Sequence, residues 1–269
     1  NIVQPDMGII TNIYEAHLEY FGDIEEVAKT KSALFSSLEK EGTAFINMDD
    51  PYISKMAIPC KGVEYSFTKP ADYQGSLSSE NQTLTINNIA INLSSPSETM
   101  GMNALAVFSI VAHLGMDAHV IKTQIESFQP PSGRGNILQF QDIMVINDSY
   151  NANLESACTG INNLTSLSEG KRKIAVIGDM LELGELEKDH HQTLGKYLSE
   201  KKVDAVFAFG ELTRHTIQAM NGAAMFHQYY DDKVNLLTDL KAFISEGDII
   251  YVKGSRGMKM EEIITGLQD

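Results

Sequence analysis

From about residue 132 onward, apolar strand-like runs at 143–147, 173–178, 203–209 and 247–253 alternate with helix-like stretches at about 153–167, 187–201, 212–221, 233–245 and 258–267. This alternation leaves few folds open. Parallel strands need long crossover connections, and crossovers folded as helices cover both faces of the sheet. A doubly wound, Rossmann-like α/β unit is therefore expected over 132–269. Its strands run the same way, so the loops leaving their carboxyl ends gather on one edge, where open α/β sheets bind ligands.

The first half reads differently. Residues 6–12 form a short buried strand, followed by a polar loop and a helix from Ile24 to about Leu38. On that helix Val27, Ala28, Lys31, Leu34, Phe35 and Leu38 share one face at helical spacing, which points Lys31 the same way as the core residues. A strand at 43–47 and a turn at Asp49-Asp50-Pro51 complete a βαβ-like block. Between about 60 and 95 the runs VEYSF, TLTIN and IAINL predict an antiparallel appendage to a parallel sheet. Helices follow at 102–115 and 117–127, and the cluster Gln129-Pro130-Pro131-Ser132-Gly133 divides the chain into 1–131 and 132–269.

Bulk properties restrict the ligands. A net charge of -15 disfavours nucleic acid or anionic lipid as a partner, so an anionic substrate has to be met by local cations. No run of about 18 apolar residues is present to span a bilayer. Cys60 and Cys158 show no metal-ligand spacing and read as free thiols of a reducing cytoplasm. The amino terminus has neither an initiator Met nor the pattern of a signal peptide, so the chain is expected to begin inside a longer protein.

Three strand ends in the second half carry bursts of polar residues. Asn147-Asp148-Ser149-Tyr150-Asn151-Ala152-Asn153 lies behind the strand at 143–147, Gly178-Asp179-Met180-Leu181-Glu182-Leu183-Gly184 behind the next, and Lys253-Gly254-Ser255-Arg256-Gly257 behind the last. The last places a cation, a hydroxyl and a guanidinium among glycines just before a helix, a setting that suits a carboxylate or phosphate. Asp148 can accept from ribose hydroxyls, and Arg134, between Gly133 and Gly135, can reach a phosphate. Asn151 or Asn153 can equally cap the helix at about 153.

In the first half, His17 lies between Glu15 and Glu19, a neighbourhood suited to Mg²⁺ or Mn²⁺, although a solvated loop histidine is the commoner case. A lysine such as Lys31 usually snorkels to water. Burial would instead yield a neutral amine able to take up CO₂ as a carbamate, an oxygen ligand in place of a cation. His190-His191, early in an acidic helix, read as solvated, and Asp231-Asp232 as a helix entry. The chain contains no G-x-x-x-x-G-K-[ST] phosphate loop.

The ordered segments ITNIYEAHLEYFG, VAKTKSALF, NALA, SGRGNILQF, INDSYNAN, VIGDMLELGELEKDHH and VKGSRGMKME together resemble the Mur ligase family over nearly the whole chain. The match is nearest to the branch that joins D-alanyl-D-alanine to UDP-N-acetylmuramoyl-tripeptide, an ATP-dependent step of peptidoglycan precursor synthesis in the bacterial cytoplasm. The resemblance implies that 1–131 is part of the central ATPase domain and 132–269 the carboxyl-terminal domain. It also implies a metal role for His17 and a carbamate on Lys31, with catalytic consequences for both. Asn103 would lie near adenine, and Arg134 with Asp148 would contact nucleotide. Asn151, Asn153, Asp179, Glu182, Lys253, Ser255 and Arg256 would form the face that receives the dipeptide and the acceptor peptide. The family's glycine-rich phosphate loop and UDP-sugar domain are expected upstream of Asn1, so this segment alone is expected to be inactive, and the full-length protein to be a monomer. Another ligase of the Mur or folylpolyglutamate synthase type, and a binding module without catalysis, remain as alternatives.

Overall fold

A computed structural model of the protein describes residues 4–14, 21–78, 82–94, 97–168, 170–220 and 226–268. The chain divides into two compact units, Asn1–Phe128 and Gln129–Asp269.

The first unit holds a six-stranded sheet in the order β1 (Met7–Ile10), β2 (Thr43–Asn47), β3 (Lys61–Ser66), β4 (Tyr73–Ser78), β5 (Thr83–Ile86), β6 (Ile89–Asn92). The first four strands pair in parallel and the last two antiparallel. The run VEYSF is therefore not part of the antiparallel appendage: β3 lies between β2 and β4 in the parallel portion, and the turn-back starts only at β4, a strand the hydrophobic pattern did not predict. Helix α1 (Ile24–Ser36) starts at Asp23, whose carboxylate accepts from the Glu26 N–H, with Glu25 and Glu26 in the first turn where the helix dipole favours negative charge. Helices α2 (Glu98–His113) and α3 (Ala118–Ser127) cover the sheet through Leu105, Phe108, Ile121 and Ile125, which pack with Phe45, Tyr65 and Leu84.

The second unit has the expected doubly wound architecture. Its sheet runs β11 (Phe226–Tyr230), β10 (Ala205–Phe209), β9 (Lys173–Gly178), β12 (Ile249–Lys253), β8 (Ile143–Asp148), β7 (Asn136–Phe140). All pairs are parallel except β7 with β8. Helices α4 (Leu154–Leu167) and α5 (Glu187–Glu200), with the short α6 (Thr213–Ala219), cover one face through Ile161, Leu164, Leu194 and Leu198. Helices α7 (Lys233–Phe243) and α8 (Glu261–Gln268) cover the other through Leu236, Leu240, Ile263 and Ile264. With both faces covered, β9 and β12 are buried almost throughout, which is why they read as unbroken apolar runs.

The connection from β8 to β9 passes over β12, and the chain returns to fill that gap only after β11. The strand order thus reverses beside β12, which places a crevice at its carboxyl end. At the opposite, amino-terminal edge, Arg172 and Asp248 pin β9 to β12 with a two-pronged ion pair of 2.8 and 2.6 Å.

Candidate functional site

The register of β8 against β12 builds the centre of the site. Lys253 lies opposite Asp148, and Tyr251 opposite Ile146, two residues earlier on the same face of β12. Lys253 Nζ donates to Asp148 Oδ2 at 2.5 Å, and the Tyr251 hydroxyl donates to the same oxygen at 3.1 Å. The Lys253 side chain is only 3% exposed, whereas that of Asp148 is 23% exposed. Burial pushes the Lys253 ammonium below the ordinary lysine range, and the Asp148 carboxylate beside it works against that shift. Oδ1 of Asp148 meets no donor among the described residues.

Around this pair the three polar strand ends interlock. Ser255 is buried; its N–H donates to Asp179 O at 3.0 Å, and its hydroxyl accepts from the Leu181 N–H at 2.9 Å and donates to Ala152 O at 3.4 Å. A single serine thus staples the loops after β8, β9 and β12. Asp148, Asp179 and Arg256 therefore occupy one rim. Two guanidiniums meet the half-exposed Tyr150 ring, Arg134 at 4.0 Å and Arg256 at 5.8 Å from its centroid. Arg134 is held by its neighbours: the Gly135 N–H donates to Asn147 O, the Tyr150 N–H to Gly133 O, and the Gly133 N–H to Asn136 Oδ1. Arg256 also pairs with Glu261 at 2.9 Å. In a chain of net charge -15, this rim gathers Arg134, Lys253 and Arg256.

Other expected site residues have structural employment. Asn153 caps α4: its side chain accepts from the Ser156 N–H at 2.8 Å while the Ser156 hydroxyl accepts from the Asn153 N–H at 3.2 Å. Asn151 is exposed, and its Oδ1 accepts from the Ala152 N–H. Asp179 is buried and turned toward the start of α6, where it accepts from the Thr213 N–H at 2.8 Å. Burial pushes its carboxyl above the usual range, and the backbone donors of Thr213 and Leu212 oppose that. A Cβ on Gly210 would lie 2.5 Å from this carboxylate, so the positive φ of 109° and the close approach both call for glycine. Glu182 is exposed, in the left-handed region at φ 64°.

The reading of His190-His191 as solvated is corrected: both are buried. The Nδ1 of His191 donates to Glu187 O at 2.7 Å, and Nε2 accepts from the Met180 N–H at 3.1 Å, tying α5 to the loop after β9. Burial pushes the imidazole down to about 4.

In the first unit the placement of Lys31 is also corrected. The buried residues of α1 are Val27, Ala28 and Phe35, whereas Lys31 is exposed and its Nζ donates to Asn12 O at 3.1 Å. Its long stem follows the helix surface to the segment just after β1. Two further side chains that sequence reasoning passed over grip the same segment. Asn47 donates to Thr11 O at 2.9 Å, and Asp50 Oδ2 accepts from the Ile13 N–H at 2.7 Å while Oδ1 caps the turn at Tyr52 and Ile53. Asn103 is exposed on α2. His17 lies outside the described residues, among which no group of three His, Cys, Asp or Glu side chains is placed to hold a metal ion.

Two family models match the chain in succession. Residues 1–111 match the Mur ligase middle domain, and residues 133–256 the Mur ligase glutamate ligase domain. The chain belongs to the Mur ligase family. Among curated relatives, the UDP-N-acetylmuramoyl-tripeptide--D-alanyl-D-alanine ligase of Bacillus subtilis (strain 168) is 31% identical over 99% of this chain and 60% of its own length. That of Escherichia coli (strain K12) is 28% identical over 100% of this chain and 61% of its own. The chain thus spans about three fifths of the length of these Mur ligases. Solved structures share the fold. MurF from Acinetobacter baumannii superposes with a TM-score of 0.86 at 24% identity, covering 99% of this chain and 60% of that one. MurF from Thermotoga maritima in complex with ADP superposes with 0.85 at 24% identity, covering 99% and 62%.

Proposed function

We propose that this chain forms the central and carboxyl-terminal part of an ATP-dependent amide ligase that joins D-alanyl-D-alanine to UDP-N-acetylmuramoyl-tripeptide. The observation that carries the reading is the rim at the reversal of strand order, where Asp148, Lys253, Arg134 and Arg256 converge in a chain whose curated relatives, matched over 99–100% of its length, bear that name. On this reading 1–131 belongs to the nucleotide domain and 132–269 to the domain that supplies the amine substrate.

The chemistry is a two-step acyl transfer. The terminal carboxylate of the acceptor peptide attacks the γ-phosphorus of ATP, forming an acyl phosphate and releasing ADP. The amine of D-alanyl-D-alanine then adds to the acyl carbon and expels inorganic phosphate, leaving the amide. Asp148 is suited to accept from ribose hydroxyls through its free oxygen. The guanidiniums of Arg134 and Arg256 are suited to phosphate and carboxylate oxygens, which they meet in planar, two-pronged geometry. Asp179, Ser255 and Asn153 act by fixing the loops that carry these groups. A divalent cation, where bound, would neutralise charge on the ATP oxygens. The described residues do not by themselves provide a site for it.

The test is phosphate release by the intact protein with ATP, UDP-tripeptide and D-alanyl-D-alanine, each omitted in turn. Release should require all three. Release that does not depend on the dipeptide would reject the amine substrate, and a different amino acid supporting turnover would move the chain to another ligase of the same family.

A further inference from the structure

Tyr251 is the least expected member of the site. It is fully buried, yet its hydroxyl is spent on the carboxylate of Asp148, 103 positions away in the chain. Opposite Ile146 in the register, the ring runs along the sheet toward the carboxyl end of β8 and meets Asp148 from behind. Helix α4 is shaped to admit it: a Cβ on Gly160 would lie 2.0 Å from the Tyr251 hydroxyl and 2.1 Å from the ring carbon that bears it. The glycine therefore marks a place where the helix backbone gives way to a phenol.

The two donors on Asp148 Oδ2 do different things. An ammonium is a compact charge on a flexible stem and can follow a carboxylate through several rotamers. A phenol on a rigid ring, packed against a helix backbone, holds its oxygen at one place and offers its O–H only in the plane of the ring. Burial and the adjacent negative charge push the Tyr251 hydroxyl well above its ordinary range, which keeps it protonated and a donor.

We propose that Tyr251 is a positioning residue: locked against Gly160, it holds Oδ2 of Asp148 inward so that Oδ1 faces the rim, aimed at the vicinal hydroxyls of a ribose. The inference rests on the reading of Asp148 as a nucleotide-facing acceptor. A carboxylate already oriented loses no rotamer freedom when the ligand arrives, so the contribution of Tyr251 belongs to the ligand's hydroxyls and to no other part of it.

That selectivity supplies the test. Binding of ATP and of 2′,3′-dideoxy-ATP is measured by titration calorimetry on the intact protein and on its Tyr251→Phe variant, which keeps the ring and removes the donor. Wild type should prefer ATP. In Y251F the affinity for ATP should fall about three- to tenfold, the cost of ordering one side chain that is no longer held before the ligand arrives, while the affinity for the dideoxy nucleotide stays where it was. An undiminished preference for ATP in Y251F, or an equal loss for both nucleotides, overturns the role of Tyr251 and leaves the reading of Asp148 standing. Equal affinity of the wild type for the two nucleotides removes that reading and the proposal with it. Should Y251F not fold, wild-type protein carrying ¹³C at the tyrosine Cζ answers the same question. A Tyr251 resonance that shifts with ATP and not with the dideoxy nucleotide supports the proposal, and one that shifts with neither, or equally with both, overturns it.

Discussion

His191 shows how one buried side chain can set a pH limit on the site. In the folded protein it is neutral, with its proton on Nδ1 toward Glu187 and its lone pair toward Met180, and burial lowers it to about 4 from an ordinary 6.5. Between those values the unfolded chain takes up a proton that the folded one refuses. The stability contributed by neutral His191 is thus complete above about 6.5, falls as the pH drops toward 4, and changes no further below that. The loss is on the order of 3 kcal/mol across the window. Urea unfolding of wild type and His191→Gln at pH 7.5 and pH 5 should show the wild type losing more stability on acidification than the variant; equal losses would sink the assignment. The gathering of Asp148, Lys253 and Arg256 at one edge was legible in the sequence, because the first two close β8 and β12, the third lies just beyond β12, and parallel strands end on the same side. His191, Tyr251 and Gly160 were not, because each acts through a neighbour far along the chain that only the register of β12 on β8, or the seating of a helix, brings close. Lys31 misled for a related reason. It is four residues from both Val27 and Phe35, but a face defined by angle alone does not say how far a long side chain reaches along the helix.

Among the elements, α4 connects stability and function most directly, since its first turn follows the Asn147–Asn153 loop. Its capping box satisfies amide donors that a helix start otherwise leaves open. Asn153→Ala should destabilise the protein by about 1 kcal/mol in denaturant melts, whereas Asn153→Asp, which keeps an acceptor at the cap, should stay within a few tenths. Equal stability of the two variants would mean that Asn153 serves something other than the helix. The elements predicted well from sequence are those with a buried face: β2 and β9 fall at 43–47 and 173–178 as read, and α4, α5 and α7 agree to within a residue or two. The strands that escaped notice are β4, β7 and β11. The last two form the edges of the second sheet, where one side meets no neighbour and the sequence alternates weakly, as in NILQF and FHQYY. β4 is interrupted by Gly75, where a Cβ would come within 2.8 Å of Phe67. Its apolar pattern is sparse because a neighbouring ring fills the space that a side chain of its own would occupy.

At the scale of the molecule, the two units are built on separate cores. The second has a six-stranded sheet with an apolar cluster on either face, and every residue of both clusters lies within 129–269. Both faces of its central strands are covered by helices from the same segment, and the Arg172–Asp248 pair closes the far edge. The contacts that assemble the rim, from Ser255 to Asp179, Leu181 and Ala152 and from Lys253 and Tyr251 to Asp148, are likewise internal to it. A unit that buries its own apolar surface and keeps the contacts of its rim within itself has what independent folding requires. Residues 129–269 expressed alone should therefore unfold in a single cooperative transition in urea and give a dispersed methyl spectrum, with ring-current-shifted signals from the Phe207, Phe226, Tyr230 and Phe243 cluster. Collapsed protein with helical circular dichroism but no such dispersion would show that this core needs the first unit to become unique. If the unit does fold, the orientation of Asp148 is set without the first unit, because the groups that impose it belong to the sheet itself.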